Sequence, residues 1–350
     1  MRAVRVVEHG GPLEALRVED VAAPEPGPGE VLVEVAAASL NFGDLARCRG
    51  TVASVMGQVP FTLGMDVCGT VITVGDGVDG TWVGQRVVGM AQQSLGGIAE
   101  YAVCGVNGTF PAPPELDDLE AAAFTLPFHV SHLALHRRAR LTSGETLLVV
   151  GGASAVGTAM IQIGRALGAT VIAVAGGAQK VALCESLGAT GVDHTTFAPG
   201  DDLFDRVMGL TGGQGAEVVV DLVGGANTET VWTCVAREGR YVPVGFNDDP
   251  ESGLTGRPLR KVAMANFSVV GVLLAYTDLP LDVRRFGLNP LPPDAGREVH
   301  AVLLDLVASG AVRPVIGRVV TMDGVAAALD DHEQRRTAGR TVVDVAGSRP

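Results

Sequence analysis

The chain is short of aromatic residues (4%) and of charge (19%), and above all of positive charge, with a formal net charge of −13. That balance excludes a protein that tracks nucleic-acid phosphates, which needs a basic face or stripe. It disfavours adhesion to anionic lipid on the same ground. Five cysteines, Cys48, Cys68, Cys104, Cys184 and Cys234, stand far apart without a CxxC pair, so neither a zinc ribbon nor a redox dithiol is written here. Buried, reduced thiols are expected. The opening MRAVRVVEHG lacks the apolar core of a signal peptide, and the expected location is cytoplasmic. The apolar stretch 146–174 carries Gln162 and Arg165 in its middle and is divided by glycines, so a buried βαβ unit fits it better than a membrane span. Tandem repeats and low-complexity linkers are missing too.

Glycine, by contrast, is plentiful at 47 residues of 350, and hydrophobic residues make up 47%. Such a chain is long enough for two packed cores. Its first third reads as short strands, 3–7, 31–36, 69–74, 86–90 and 98–103, separated by turns such as Pro24-Glu25-Pro26-Gly27-Pro28-Gly29 and Gly75-Asp76-Gly77. Short strands with glycine-rich turns predict a partly closed β-barrel. Helical segments follow, from 120 through 140. Strands then alternate with helices: 146–150, 170–175, 218–221, 241–244 and 267–274. That alternation predicts a parallel, doubly wound α/β sheet. A helix over 294–309 and short strands at 318–321 and 341–345 complete a tail too small to form its own core. The expected division is a β-rich domain over 1–126 and 275–350 and a Rossmann domain over 127–274, with substrate held between them.

The strand 146–150 runs straight into Gly151-Gly152-Ala153-Ser154-Ala155-Val156-Gly157 and an apolar helix. Small residues let the backbone approach a pyrophosphate, and the helix N-terminus supplies free N–H groups and positive dipole. Ser154 stands where a glycine is commoner, placed to cap the helix or to donate to a phosphate oxygen. An NAD site expects an acid at the end of the second strand, about 20 residues beyond the motif. Here that segment is Ala175-Gly176-Gly177-Ala178-Gln179-Lys180, with no acid and a terminal cation suited to a 2′-phosphate. The expected cofactor is NADPH.

Taken together, further segments resemble a known family over nearly the whole chain. Asn41-Phe42-Gly43-Asp44 with Arg49-Gly50, Leu63-Gly64-Met65-Asp66-Val67-Cys68-Gly69, Val83-Gly84-Gln85-Arg86-Val87, Gly96-Gly97-Ile98-Ala99-Glu100-Tyr101, Asp221-Leu222-Val223-Gly224-Gly225 and Ala338-Gly339-Arg340-Thr341-Val342 follow in its order. The chain resembles the zinc-free medium-chain dehydrogenase/reductases of the quinone oxidoreductase type. The resemblance implies a GroES-like barrel plus a Rossmann domain, as a homodimer acting on a small-molecule acceptor. Asn41 and Asp44 would border the active site, with Asn41 and Val130 also beside the cofactor. Gly152, Ala153, Ser154, Ala155, Val156 and Gly157 would hold the pyrophosphate, and Gly176, Lys180 and His194 the 2′-phosphate ribose. Val223, Gly245, Phe246, Gly271 and Val272 would line the nicotinamide, with Gly339 and Arg340 closing over it. Zinc-bearing relatives carry Cys near position 41 and Gly-His-Glu where Gly64-Met65-Asp66 stands. Met65 is a poor zinc ligand and Asn41 has no thiolate, so no metal is expected.

His129, His132 and His136 share one helical face. Their spacing suits a metal, yet ordinary buried or partly exposed histidines explain it as well; His129 is the candidate for a proton-donating group. Ser154 sits on a strand-to-helix turn, but the second glycine of a GxSxG nucleophile elbow is missing. Asp44 is as suited to capping a turn as to catalysis. The expected reaction is reduction of a quinone or similar acceptor by NADPH. Two alternatives stay open: an enone or enoyl-thioester acceptor, and a non-catalytic NADPH-binding protein.

Overall fold

The computed structural model describes residues 1–51, 58–91, 95–197, 202–245, 260–278, 284–285 and 287–348. The chain forms two compact units. One comprises Met1–Leu126, Ala275–Ala308 and Arg313–Pro350, the other Pro127–Leu274 with Ser309–Val312. In chain order the strands are β1 (Arg2–Val6), β2 (Leu16–Asp20), β3 (Glu30–Ser39), β4 (Phe61–Thr62), β5 (Asp66–Val74), β6 (Arg86–Ala91) and β7 (Tyr101–Pro111). Then come β8 (Thr146–Val150), β9 (Thr170–Ala175), β10 (Thr190–Asp193), β11 (Ala216–Asp221), β12 (Val235–Pro243), β13 (Ser268–Val269), β14 (Ile316–Val320) and β15 (Arg340–Asp344).

In the first unit the sheet order is β14-β15-β3-β5-β6-β7, and β3 pairs a second time, with β7. That pairing, Glu30–Glu34 against Tyr101–Gly105, closes β3, β5, β6 and β7 into a ring. Valines at alternate positions of these strands fill it: Val31, Val33, Val67, Val71 and Val87 have at most 1% of their surface exposed. Closure needs sharp coiling, supplied by register shifts in β3 between Leu32 and Val33 and between Val35 and Ala37. Gly69 stands opposite them. A Cβ there would lie 2.1 Å from the Glu34 carbonyl oxygen, so no larger residue fits this approach. At the other end of the chain, β15 pairs antiparallel with β3, Val342 opposite Ser39.

The second unit carries a parallel sheet ordered β10-β9-β8-β11-β12-β13. Counted within the unit that order is 3-2-1-4-5-6, the doubly wound arrangement whose ligand crevice lies where strand order reverses, at the carboxyl ends of β8 and β11. Leu147, Leu148, Val149, Val218, Val219 and Val220 are all 0% exposed, as strands covered on both faces should be.

Two elements depart from the sequence reading. Only Ser268 and Val269 of the expected strand 267–274 pair, opposite Arg240 and Tyr241 of β12. Beyond them the chain leaves the sheet, and the Gly271 carbonyl accepts from Arg138 Nε at 2.8 Å. Conversely, β10 forms where the sequence shows no strand pattern, since its four residues, with Gly191 and Asp193 among them, lack alternation. Gly191 is what lets this strand form. A Cβ at that position would meet Val181 Cγ1 of the helix Ala178–Ser186 at 2.5 Å.

Candidate functional site

The nucleotide cradle is made of backbone. Gly151 (φ 87°) turns the chain out of β8. A Cβ on Gly152 would come within 2.8 Å of Ala173 Cβ, and one on Gly157 within 2.3 Å of the Gly151 carbonyl oxygen. The loop is therefore pressed between β9 and the first turn of the helix Ala155–Ala166, as close approach to a pyrophosphate requires. Ser154 is the N-cap of that helix. Its Oγ accepts from Gly157 N–H at 3.1 Å and donates to the Gly151 carbonyl at 2.8 Å. Of the two roles open to it, capping is the one seen, and its hydroxyl proton is committed within the loop. Ala153 is buried, while Ala155 and Val156 are half-buried beside it.

At the end of β9 the residues Gly176 and His194 come together: a Cβ on Gly176 would lie 2.9 Å from His194 Nε2. Gly177 (φ 89°) begins the helix Ala178–Ser186, and Lys180 stands in its first turn, its N–H bonded to the Gly177 carbonyl. No carboxylate terminates β9, whose last residue is Ala175.

Across the switch point, Asp221 at the end of β11 organises the third part of the cradle. Its Oδ1 accepts from the N–H groups of Val223 and Gly224, both at 2.9 Å, and its Oδ2 from Tyr241 Oη at 2.9 Å. Burial, and then the Asp221 charge, push the Tyr241 hydroxyl far up, so it stays protonated and donates. The Asp221 carbonyl also accepts from the N–H groups of Val244 and Gly245. Gly245 is pressed against this turn, since a Cβ would sit 2.0 Å from the Leu222 carbonyl oxygen. Val223 and Gly245 thus lie at adjoining strand ends. Phe246 lies outside the described residues. Gly271 and Val272 follow β13, the first exposed and the second half-buried.

The barrel unit holds a different kind of site. Asn41 precedes the helix Phe42–Arg49, and the Asp44 carboxylate turns back to accept its N–H at 2.7 Å. The Asn41 carboxamide is fixed at both ends. Its Nδ2 donates to Asp66 Oδ2 at 3.0 Å, and its Oδ1 accepts from Arg340 Nη1 at 2.9 Å. Arg340 also pairs with Asp66 Oδ2 at 2.5 Å and donates twice to Ser39 Oγ, which passes its own proton to the Ala122 carbonyl. Arg47 Nη1 lies 3.7 Å from Asp44 Oδ1. Arg340 is 4% exposed, Asp44 and Asp66 0%. Burial drives the Asp44 carboxyl up to about 6 against the pull of Arg47, and drives Asp66 up against Arg340. Among the described residues Asp44 Oδ1 and Arg47 Nε and Nη1 have no hydrogen-bond partner. The Arg340 guanidinium, expected over the nicotinamide, is thus engaged by Asp66, Asn41 and Ser39. Gly339 (φ 65°) precedes it in a left-handed turn.

His129 is fully buried and Val130 is 7% exposed, both on the helix Thr125–His132. That helix widens into a π-helical turn, Leu133–Arg138. The rings of His132 and His136 sit 4.9 Å apart. Burial, helped by His136 and Arg137, pulls His132 down to about 4, so it is neutral. Among the described residues no group of three or more His, Cys, Asp or Glu side chains is placed to hold a metal. The cysteines are buried thiols, with Cys68 and Cys104 pushed up to about 12 by burial.

Sequence reasoning missed Asp66 as the partner of Arg340, and Ser39 and Arg47 beside it. Nor does the sequence around Asp221 reveal its tie to Tyr241, twenty residues on. An acid in one segment and an arginine 274 positions away carry no local signal of pairing.

A closed barrel joined in one chain to a 3-2-1-4-5-6 parallel sheet with a glycine cradle defines a two-domain dehydrogenase of the medium-chain class. Residues 27–114 match the alcohol dehydrogenase GroES-like domain, and residues 155–286 the zinc-binding dehydrogenase family. The quinone oxidoreductase of Rattus norvegicus is 31% identical over 332 residues, spanning 95% of this chain and 93% of that protein. The structure of Escherichia coli quinone oxidoreductase complexed with NADPH superimposes with a TM-score of 0.84 at 25% identity, covering 99% of this chain and 100% of that one. A shorter stretch, 223 residues or 64% of this chain, is 34% identical to the phthioceranic/hydroxyphthioceranic acid synthase of Mycobacterium tuberculosis, of which it spans 10%. The chain belongs to the medium-chain dehydrogenase/reductase family, in its zinc-free quinone oxidoreductase type. The zinc in one family description does not carry over. Asn41 and Met65 offer neither thiolate nor imidazole, and the Asp66 carboxylate is taken up by Arg340 and Asn41.

Proposed function

We propose that this protein is an NADPH-dependent oxidoreductase that reduces a quinone or a similar electron-poor acceptor. The observation that carries the reading is the cradle at the strand-order reversal, where side chains are excluded at Gly152, Gly157 and Gly245 and no acid ends β9. Bound NADPH would supply the hydride, so the protein needs no nucleophile of its own. The chain's task is to bind, orient and exclude water. Gly152 to Gly157 hold the pyrophosphate, and Gly176, Lys180 and His194 the 2′-phosphate ribose. Val130, Val223, Gly245, Phe246, Gly271 and Val272 serve the nicotinamide. Asn41 and Asp44 in the barrel unit, and His129 on the helix Thr125–His132 as the candidate proton-donating group, belong to the substrate side. With the Arg340 guanidinium engaged and its backbone N–H donated to the Val315 carbonyl at 2.8 Å, it is the turn at Gly339 that is left for the cofactor. A cytoplasmic homodimer is the proposed setting, and among the described residues no helix is long and apolar enough to cross a membrane.

The likeness to an acid synthase favours a second acceptor, an enone or enoyl thioester. Loss of NADPH absorbance is to be followed with NADPH and NADH against quinones, enones and enoyl-CoAs in turn. Turnover of one class with NADPH preferred names the acceptor. NADPH binding without turnover moves the protein to a non-catalytic binder, and failure to bind either nucleotide sinks the whole reading.

A further inference from the structure

We infer that His132 and His136 form a binding site for one divalent transition-metal ion of the copper, nickel and zinc class, held by both imidazoles and completed by water. The inference stands apart from the NADPH reading and needs no part of it.

The helix Thr125–His132 passes into the π-helical turn Leu133–Arg138, where the Ala139 N–H reaches back to the Ala134 carbonyl at 2.8 Å. Four residues make slightly more than one turn of an α-helix and slightly less than one turn of a π-helix. Across this junction His132 and His136 therefore stand nearly in line, with ring centres 4.9 Å apart. An imidazole nitrogen binds a zinc-like ion at about 2.0–2.1 Å, and its ring centre lies roughly 1.1 Å further back. Two rings on one ion, at an angle of about 90–110°, then have centres about 4.5–5.2 Å apart. The observed separation falls inside that interval. His132 is 6% exposed, and its Nδ1 is buried with no hydrogen-bond partner among the described residues. A buried polar atom in that state calls for a ligand. His136 is exposed, so the pair opens to solvent on its side.

The surroundings select the ion. Arg137 adds positive charge beside the rings, while Arg138 Nε is turned to the Gly271 carbonyl. Among the described residues no third His, Cys, Asp or Glu joins the pair. Coordinate bonds to nitrogen must then outweigh an unfavourable field. That excludes Mg²⁺ and Ca²⁺, which take oxygen ligands. Imidazole suits copper, nickel and zinc, with Cu²⁺ bound tightest by a given nitrogen site. Two protein ligands fall short of the three or four in catalytic and structural zinc sites, so the ion is exchangeable.

The test uses the whole chain without a histidine tag. Ni²⁺, Cu²⁺ and Mg²⁺ chlorides are titrated calorimetrically into the wild-type protein, His136→Asn and His132→Asn. The wild type should take up about one equivalent of Ni²⁺ and no Mg²⁺. Its melting temperature should rise as Ni²⁺ is added, because the ion binds the folded state. Each variant should bind Ni²⁺ about tenfold more weakly or worse and lose that rise. The EPR spectrum of bound Cu²⁺ should show two imidazole nitrogens in the wild type and one in His136→Asn. His136 lies on the surface, so its variant should melt like the wild type without metal. If His132→Asn does not fold, His136→Asn and the nitrogen count decide. Equal Ni²⁺ uptake in wild type and His136→Asn, a single nitrogen on wild-type Cu²⁺, or no uptake at all would overturn the assignment.

Discussion

The two units build their sites from opposite materials. In the parallel-sheet unit the nucleotide cradle is backbone: three glycines, a capped helix and strand ends knitted by Asp221 and Tyr241. In the barrel unit the site is side chains: two carboxylates, two guanidiniums, an amide and a hydroxyl, buried together. The first kind fails when atoms are added, because there is no room. The second fails when one atom is taken away, because a buried charge loses its partner. Backbone sites are written in a run of neighbouring residues, whereas charge networks draw on residues far apart in the chain.

That contrast can be broken or sharpened by measurement. The largest expected effect is on nucleotide binding in Gly157→Val, where the new side chain meets the Gly151 carbonyl. NADPH affinity should fall beyond detection in a fluorescence titration. Stability should drop by about 1–3 kcal/mol, the usual result of overpacking, rather than collapse. Next comes Arg340→Ala, which leaves Asp66 buried without its cation, while Asp44 keeps Arg47. Chemical denaturation should show a loss of about 3–5 kcal/mol. The double variant Arg340→Met/Asp66→Leu should recover most of it, and equal losses in the two variants would show that the pair is no unit.

Lys180→Ala should weaken NADPH by roughly ten- to hundredfold and leave NADH alone, as for one charge-assisted contact. Equal weakening of both nucleotides would instead make Lys180 part of the general scaffold. Smaller still, Tyr241→Phe should cost about 1–3 kcal/mol of stability by leaving Asp221 Oδ2 without its donor. Calorimetry and an NADPH titration on the same protein would separate the structural loss from any loss of binding.

The smallest effect is a pH profile that sums opposing parts. His300 and His332 in the barrel unit are pulled down to about 4, chiefly by burial. Below the ordinary histidine value near 6.5 the unfolded chain takes up protons that these folded residues refuse until about pH 4, so stability is lost as pH falls through that window. Asp44, held up to about 6, binds a proton in the folded state before the unfolded chain does, so its contribution is lost as pH rises from about 4 to 6. With His132 pulled down as well, the histidines outweigh Asp44, so the wild-type melting temperature should still climb with pH across this range, and more steeply in Asp44→Asn. A wild-type profile no flatter than that of Asp44→Asn would rule out the compensation.

Legibility followed the same division. The strand 146–150, the turn Gly151 to Gly157 and the missing acid after β9 could be read directly, because one short segment contains the whole arrangement. The barrel was visible as short strands between glycine turns, but its closure was not: β3 pairs with β7 across some seventy residues. The strand 267–274 was read too long, since apolar β-branched residues signal strand whether or not a partner is present. The short β10 was missed for the opposite reason, as its partner β9 and not its own composition makes it a strand.

Sequence by itself determined which residues turn, which are too small to keep a phosphate away, and which acids and zinc ligands are missing, since these are properties of single positions and near neighbours. Only the tertiary structure decided that Asp66 meets Arg340, that Asp221 ties β11 to β12 through Tyr241, and that His194 rests on Gly176. Each of those contacts joins segments whose approach is fixed by packing of the sheets around them, and burial then makes the pairing of their charges obligatory.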